Sequence, residues 1–152
     1  MKCDKDVSCV RIPREKFVSA RATASQSNDS ATHTGLELAL AAARVAAENR
    51  GQDVTVLDLR DVTPICDFFV VATGTSRRQL HAISEDIDNK LETELGDKRF
   101  GREGYDESRW ILLDYGNVII HLFDEETRKF YDIEGLWGDA KKVDLTETLR
   151  GL

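Results

Sequence analysis

The chain reads as an α/β (α+β) domain with a mixed, roughly five-stranded sheet and helices packed on it. Three observations predict this. "FFVVAT" (68–73) is a continuous apolar run, as expected for a strand buried on both faces. Leu80, Ile83, Ile87 and Leu91 then form one helical stripe, and strands return after it, so a right-handed strand–helix–strand crossover is expected. Finally, "ILLDYGNVIIHLF" (111–123) sets two apolar stretches around Gly116-Asn117, the pattern of a hairpin.

Bulk composition bounds the answer. With 152 residues, 41% of them hydrophobic, the chain suits one globular domain with a modest core. Its net charge of −7 weighs against a non-specific nucleic-acid binder, which needs a basic face to displace counterions. Binding to a protein on a nucleic-acid assembly stays open. Cys3, Cys9 and Cys66 form an odd set without a CxxC pair or a nearby His, so no zinc site is expected and a reduced, cytoplasmic setting is. No apolar run approaches the ~20 residues that span a membrane.

Residues 1–33 read as a disordered extension, because "ATASQSNDSATHT" is small and polar. Arg11, Arg14 and Arg21 suit an organelle transit peptide, a mitochondrial or plastid alternative, but Asp4, Asp6, Glu15 and Asp29 do not. The domain is expected over 34–143, with a tail at 144–152. Thr34 and Glu37 have capping-box spacing, and Leu36, Leu40, Ala43 and Ala47 recur at helical spacing before Gly51, so 35–50 is a helix. "DVTVLDL" (53–59) is a strand, and Pro64 marks a loop. Ser76 and Gln79 cap a second helix that runs to about 95 and stops at Gly96. "KRFGREG" (98–104) is a short strand and loop. Strands 109–114 and 118–123 make the hairpin, "EETRKFY" a last short helix and "DIEGLWGDA" an irregular tail.

Hairpin register decides where the candidate residues point. A two-residue Gly116-Asn117 turn is favoured, and it puts Trp110, Asp114 and His121 on one sheet face with Ile119 and Phe123. A three-residue loop, 115–117, would send His121 to the other face. Asp114 and His121 have no neighbouring Ser or Cys nucleophile and no third metal ligand, so a buried Asp–His hydrogen bond or a partner-binding role outweighs catalysis.

Gly74-Thr75-Ser76, between strand and helix, could hold an anion, but lacks the glycines of a dinucleotide site and the Lys of a phosphate loop. Asp86 and Asp88 lie two apart on a helix and diverge by about 200°, so they cannot chelate one ion and read as a solvated face. Trp110, Tyr131 and Trp137 fill a core or anchor an interface.

"CDFFVVATGTSRRQL", "RWILLDYGNVIIHLF" and "RKFYDIEGLW", in that order and spacing, resemble the ribosomal silencing factor (Iojap-like) family over about residues 35–143. The resemblance implies a fold similar to nucleotidyltransferases without their catalytic acids, no cofactor and no enzymatic activity. It implies binding to large-subunit protein fourteen on the joining face of the large ribosomal subunit. That would block association with the small subunit and damp translation under nutrient limitation. It also implies a homodimer off the ribosome, and neither membrane nor direct sequence-specific nucleic-acid binding. The partner-binding residues it implies are Trp110, Asp114, His121, Tyr131, Glu134, Leu136 and Trp137. Asp67, Thr73, Gly74, Thr75, Ser76 and Gly116 match its structural motifs. Cys66 stands where Thr is common, and Phe130 where a Tyr-Tyr pair is common. The alternative is a nucleotidyltransferase-like or nucleotide-binding protein that uses the Gly74-Thr75-Ser76 turn.

Overall fold

A strand buried on both faces must find ladder partners on both edges, and "FFVVATG" does so at the centre of the sheet. In the computed structural model, which describes residues 33–152, β2 (Phe68–Gly74) is buried along its whole length. β1 (Gln52–Asp58) pairs with it antiparallel on one side, and β5 (Val118–Asp124) pairs with it parallel on the other. With β3 (Gly101–Glu103), β4 (Trp110–Asp114) and β6 (Lys141–Lys142) the order is β3-β4-β5-β2-β1-β6. This is the expected mixed sheet, with six strands in place of about five. The sixth is two exposed lysines paired with Leu57 and Asp58, and backbone pairing alone leaves no apolar signature to read. The expectation of disorder over 1–33 falls, His33 aside, outside the described residues.

Helix α1 (Gly35–Glu48) opens on the capping box: Glu37 N–H donates to Thr34 Oγ1 (3.3 Å) and Thr34 N–H to Glu37 Oε2 (2.8 Å). Its buried face is Leu38, Ala39, Ala42, Ala43, Val45 and Ala46, rotated from the expected stripe, of which only Ala43 is fully buried. A helix apolar on most sides gives a weak periodic signal. Its alanines allow close approach to the sheet. Helix α2 (Arg77–Asp88) buries Leu80, Ile83 and Ile87 and passes into a π-helical turn, Asn89–Glu94, that buries Leu91. The expected continuous α-helix to 95 thus changes type, which spacing cannot reveal because the stripe persists. Gly96, at φ 71°, ends it, and Asp97 N–H turns back to the Leu91 carbonyl at 2.8 Å. No helix of the described residues is long and apolar enough to cross a membrane.

The sheet separates two cores. Val56, Phe68, Val70, Ile111, Leu113, Ile120 and Leu122 pack beneath α1 and α2. The opposite face holds Leu57, Phe69, Val71, Leu112, Ile119 and Phe123. It is covered by α3 (Glu125–Tyr131), α4 (Ile133–Leu136) and the loop carrying Val62, Ile65 and Cys66. α4 is a helical turn where an irregular tail was expected. Asp132 takes φ 44° between the two helices, and its Oδ1 accepts from Gly135 N–H at 3.2 Å. A Cβ on Gly135 would lie 2.1 Å from Asp132 Oδ2, so this cap requires glycine.

The hairpin closes with the favoured two-residue turn. Trp110 faces Phe123, Leu112 faces His121 and Asp114 faces Ile119. Gly116 has φ 81°, which suits the first central position of such a turn.

The loop that delivers Trp110 is also tight. Gly104 has φ 74°, and a Cβ there would lie 2.0 Å from the Trp110 carbonyl oxygen. Gly104→Ala is expected to lower unfolding free energy by at least about 1 kcal/mol in urea titration. Gly101→Ala, which meets nothing within 4 Å, should change it by less than about 0.5 kcal/mol.

Candidate functional site

The two-residue turn places Trp110, Asp114 and His121 on the sheet face beneath α3 and α4. His121, wholly buried, accepts a hydrogen bond at Nδ1 from Trp110 Nε1–H at 3.1 Å. Nδ1 as acceptor leaves the ring proton on Nε2, the neutral form. Burial enforces that state, lowering the His121 pKa from 6.5 to about 3. Phe69 meets the ring edge-on at 4.6 Å and Phe123 stacks with it at 5.9 Å.

Asp114 serves the turn. Its Oδ1 accepts from Gly116 N–H at 2.8 Å, while burial raises its pKa. The acid and the imidazole, expected to satisfy each other, take these separate partners. At 3% and 0% exposure neither can touch a partner of the folded domain. They lie under the candidate face, a correction to reading them as contact residues.

Aromatic contacts lead outward from this pair. Trp110 stacks on Phe123 at 5.0 Å and meets Tyr131 at 4.7 Å; Trp137 contacts Phe69 edge-on at 5.8 Å. Trp110, Tyr131 and Trp137 are half-buried, whereas Phe130 (54% exposed) and Leu136 (37%) reach the surface. Of the residues named from sequence, Trp110, His121, Tyr131 and Trp137 therefore join, through Phe69, into one aromatic cluster.

Arg128 was not foreseen. Its Nε and Nη2 donate to Glu134 Oε1, and its Nη1 to the Asp53 carbonyl (2.8 Å) and Thr73 Oγ1 (2.7 Å). Glu134, expected to bind a partner, thus holds α4 to α3, with Lys142 Nζ 3.9 Å from its other oxygen. The cue was Arg and Glu six residues apart, a spacing with no helical meaning across the Asp132 kink. Asp88 also departs from expectation. Half-buried, it accepts from Tyr115 Oη (2.6 Å) and pairs with Arg99. Asp86 alone stays exposed.

At the Gly74-Thr75-Ser76 turn, Thr75 and the Gln79 N–H are engaged internally. Thr75 N–H donates to Gln79 Oε1 at 2.6 Å, and Ser76 Oγ accepts from Gln79 N–H at 3.1 Å. Gln79 Nε2 ties the turn to the Asn49 and Arg50 carbonyls, both at 3.0 Å. Gly74 packs against Leu80, where a Cβ would lie 2.6 Å away. Asp67 joins the hairpin turn to β2, its N–H donating to the Asn117 carbonyl at 2.8 Å. A cleft of about 340 Å³ opens beside the turn, lined by Ser76, Arg77, Glu107, Arg109 and Asp124 among others. Asp124 caps α3, its Oδ1 accepting from Thr127 N–H at 2.7 Å. The described residues hold no group of three His, Cys, Asp or Glu side chains placed to bind a metal.

A protein family described as "Ribosomal silencing factor during starvation" matches residues 32–151. "Ribosomal silencing factor RsfS" of Bacillus subtilis is 36% identical over 104 residues, 68% of this chain and 87% of that protein. "Protein Iojap, chloroplastic" of Zea mays is 31% identical over 113 residues, 72% of this chain but 47% of the maize protein. A crystal structure of a Chromobacterium violaceum protein superposes with a TM-score of 0.67 at 34% identity, covering 70% of this chain and 88% of that one.

The buried imidazole has a consequence in solution. Unfolding lets His121 bind a proton that the folded state refuses, so its contribution is complete above pH 6.5 and is lost as pH falls toward about 3. From about pH 7.5 to about 5.5 the wild-type chain should lose about 1 kcal/mol more unfolding free energy than His121→Asn. Asp114, with the opposite sign, is common to both and cancels. Parallel slopes in urea titrations across this range would refute a neutral buried His121.

Proposed function

The chain belongs to the ribosomal silencing factor family, and on that premise we propose that it acts by occupying a surface rather than by turnover. Its face built on α3 and α4 docks on a protein at the subunit-joining side of the large ribosomal subunit, large-subunit protein fourteen. Docking blocks the small subunit and represses translation under nutrient limitation. The observation that carries this reading is that α3 and α4, above the His121 face, expose Phe130 and Leu136, next in sequence to half-buried Tyr131 and Trp137. Aromatic anchors of this kind dominate interface energies.

Roles divide by depth. Trp137, Tyr131 and Leu136 meet the partner, Trp110 supports them from below, and Asp114, His121 and Glu134 fix the shape. Asp67, Thr73, Gly74, Thr75, Ser76 and Gly116 hold the scaffold. Glu125, Glu126, Asp132 and Asp139, in and beside α3 and α4, are exposed and outnumber the exposed Lys129, Lys141 and Lys142, which fits a basic protein surface better than bare RNA. Off the ribosome the chain forms a homodimer. It works in the cytoplasm; relatives named for chloroplasts and mitochondria support an organellar alternative.

Trp137→Ala tests the docking face. It should fold, and its affinity for purified large subunits in co-sedimentation should fall about thirtyfold, equivalent to about 2 kcal/mol. Undiminished co-sedimentation would remove Trp137 from the interface.

A further inference from the structure

Short helices need tertiary anchors, and α3 and α4 have few apolar ones. α3 has seven residues, none fully buried; α4 has four, of which Ile133 alone is buried. Helices of this length are unstable by themselves in water. Yet they carry exposed Phe130 and Leu136 and half-buried Tyr131, with Trp137 at the end of α4.

We infer that Arg128 is the positioning residue of this face, its guanidinium fixing α3 and α4 to the end of the sheet before a partner arrives. The inference rests on the docking role proposed for the face. Three features point to it. The Arg128 side chain is only 14% exposed, and its three nitrogens reach three separate elements: β1 through the Asp53 carbonyl, β2 through Thr73 Oγ1 and α4 through Glu134. The β1 acceptor is supplied by an irregularity. The ladder with β2 shifts register between Gln52 and Thr55, and Asp53 within it takes φ 48°. Finally, Glu134 lies two residues before Leu136 and three before Trp137, so the ion pair fixes the turn that presents them.

A planar guanidinium can serve three elements at once, where an ammonium is a single point. Removing it leaves the Glu134 carboxylate in a half-buried site without its main partner, which favours release of the whole turn.

The test is amide hydrogen exchange on full-length Arg128→Met, Arg128→Lys and Glu134→Gln, with affinity for purified large ribosomal subunits measured in parallel. In Arg128→Met, amides of 131–137 should exchange at least tenfold faster while those of β2 and β5 keep wild-type protection. Its affinity should fall at least tenfold. Arg128→Lys should lie between, and Glu134→Gln should loosen the same segment. Wild-type exchange over 131–137 in Arg128→Met would overturn the inference. Uniform acceleration of every amide would also overturn it, since that marks a purely global role. So would wild-type affinity in a variant whose 131–137 segment has loosened. If the wild-type chain itself fails to bind large subunits, the docking role falls, and the exchange pattern alone decides whether Arg128 positions the segment.

Discussion

A buried imidazole must remain neutral, and the hydrogen bond from Trp110 Nε1–H to His121 Nδ1 shows how this chain arranges it. The bond crosses diagonally from β4 to β5, two residues along β4 from the directly opposed pair Leu112–His121. It fixes the indole ring against Phe123 and under Tyr131. The aromatic cluster therefore inherits its geometry from the hairpin register. Moving that register by one residue would send His121 to the face under α1 and α2 and leave Trp110 without its acceptor.

Outward from this floor the type of interaction changes. The core beneath α1 and α2 is alanine, leucine and isoleucine packed on apolar strands, held mainly by buried area. The opposite core is smaller and aromatic, and the helices above it depend on polar ties: Asp132 to Gly135, Asp124 to Thr127, Arg128 to Glu134. Such ties set orientation at little cost in exposed apolar surface. That arrangement suits a family whose relatives are named for silencing ribosomes, because a surface that works by contact needs shape more than chemistry. At the turn that resembles a nucleotide site, Thr75 N–H and Oγ1–H donate to Gln79 Oε1, and Gln79 Nε2 in turn donates to the end of α1.

Local rules made much of this legible. The capping residues Thr34 and Ser76, the all-apolar β2 and the Gly116-Asn117 turn each stand on a short-range pattern, and the register that puts Trp110 and His121 together followed from them. What stayed hidden was non-local or polar. The alanine-rich α1 looks apolar from several sides, so its buried face was misplaced. β6 has no side-chain pattern at all. Asp88 read as solvated because Tyr115 and Arg99 reach it from elsewhere in the chain. Arg128 read as one more helix charge, since its acceptors Asp53 and Thr73 lie 75 and 55 residues away. For His121 and Asp114 the sequence leaves burial and partner contact both open, and their burial makes them supports, though not of each other.

The central claim is that this chain silences by keeping ribosomal subunits apart. Light scattering of purified large and small subunits, mixed with increasing amounts of the chain, tests it most directly. The account predicts a dose-dependent loss of joined ribosomes that saturates near one chain per large subunit, with no cofactor added. Full joining at a saturating excess of a chain that sediments with the large subunit would contradict it.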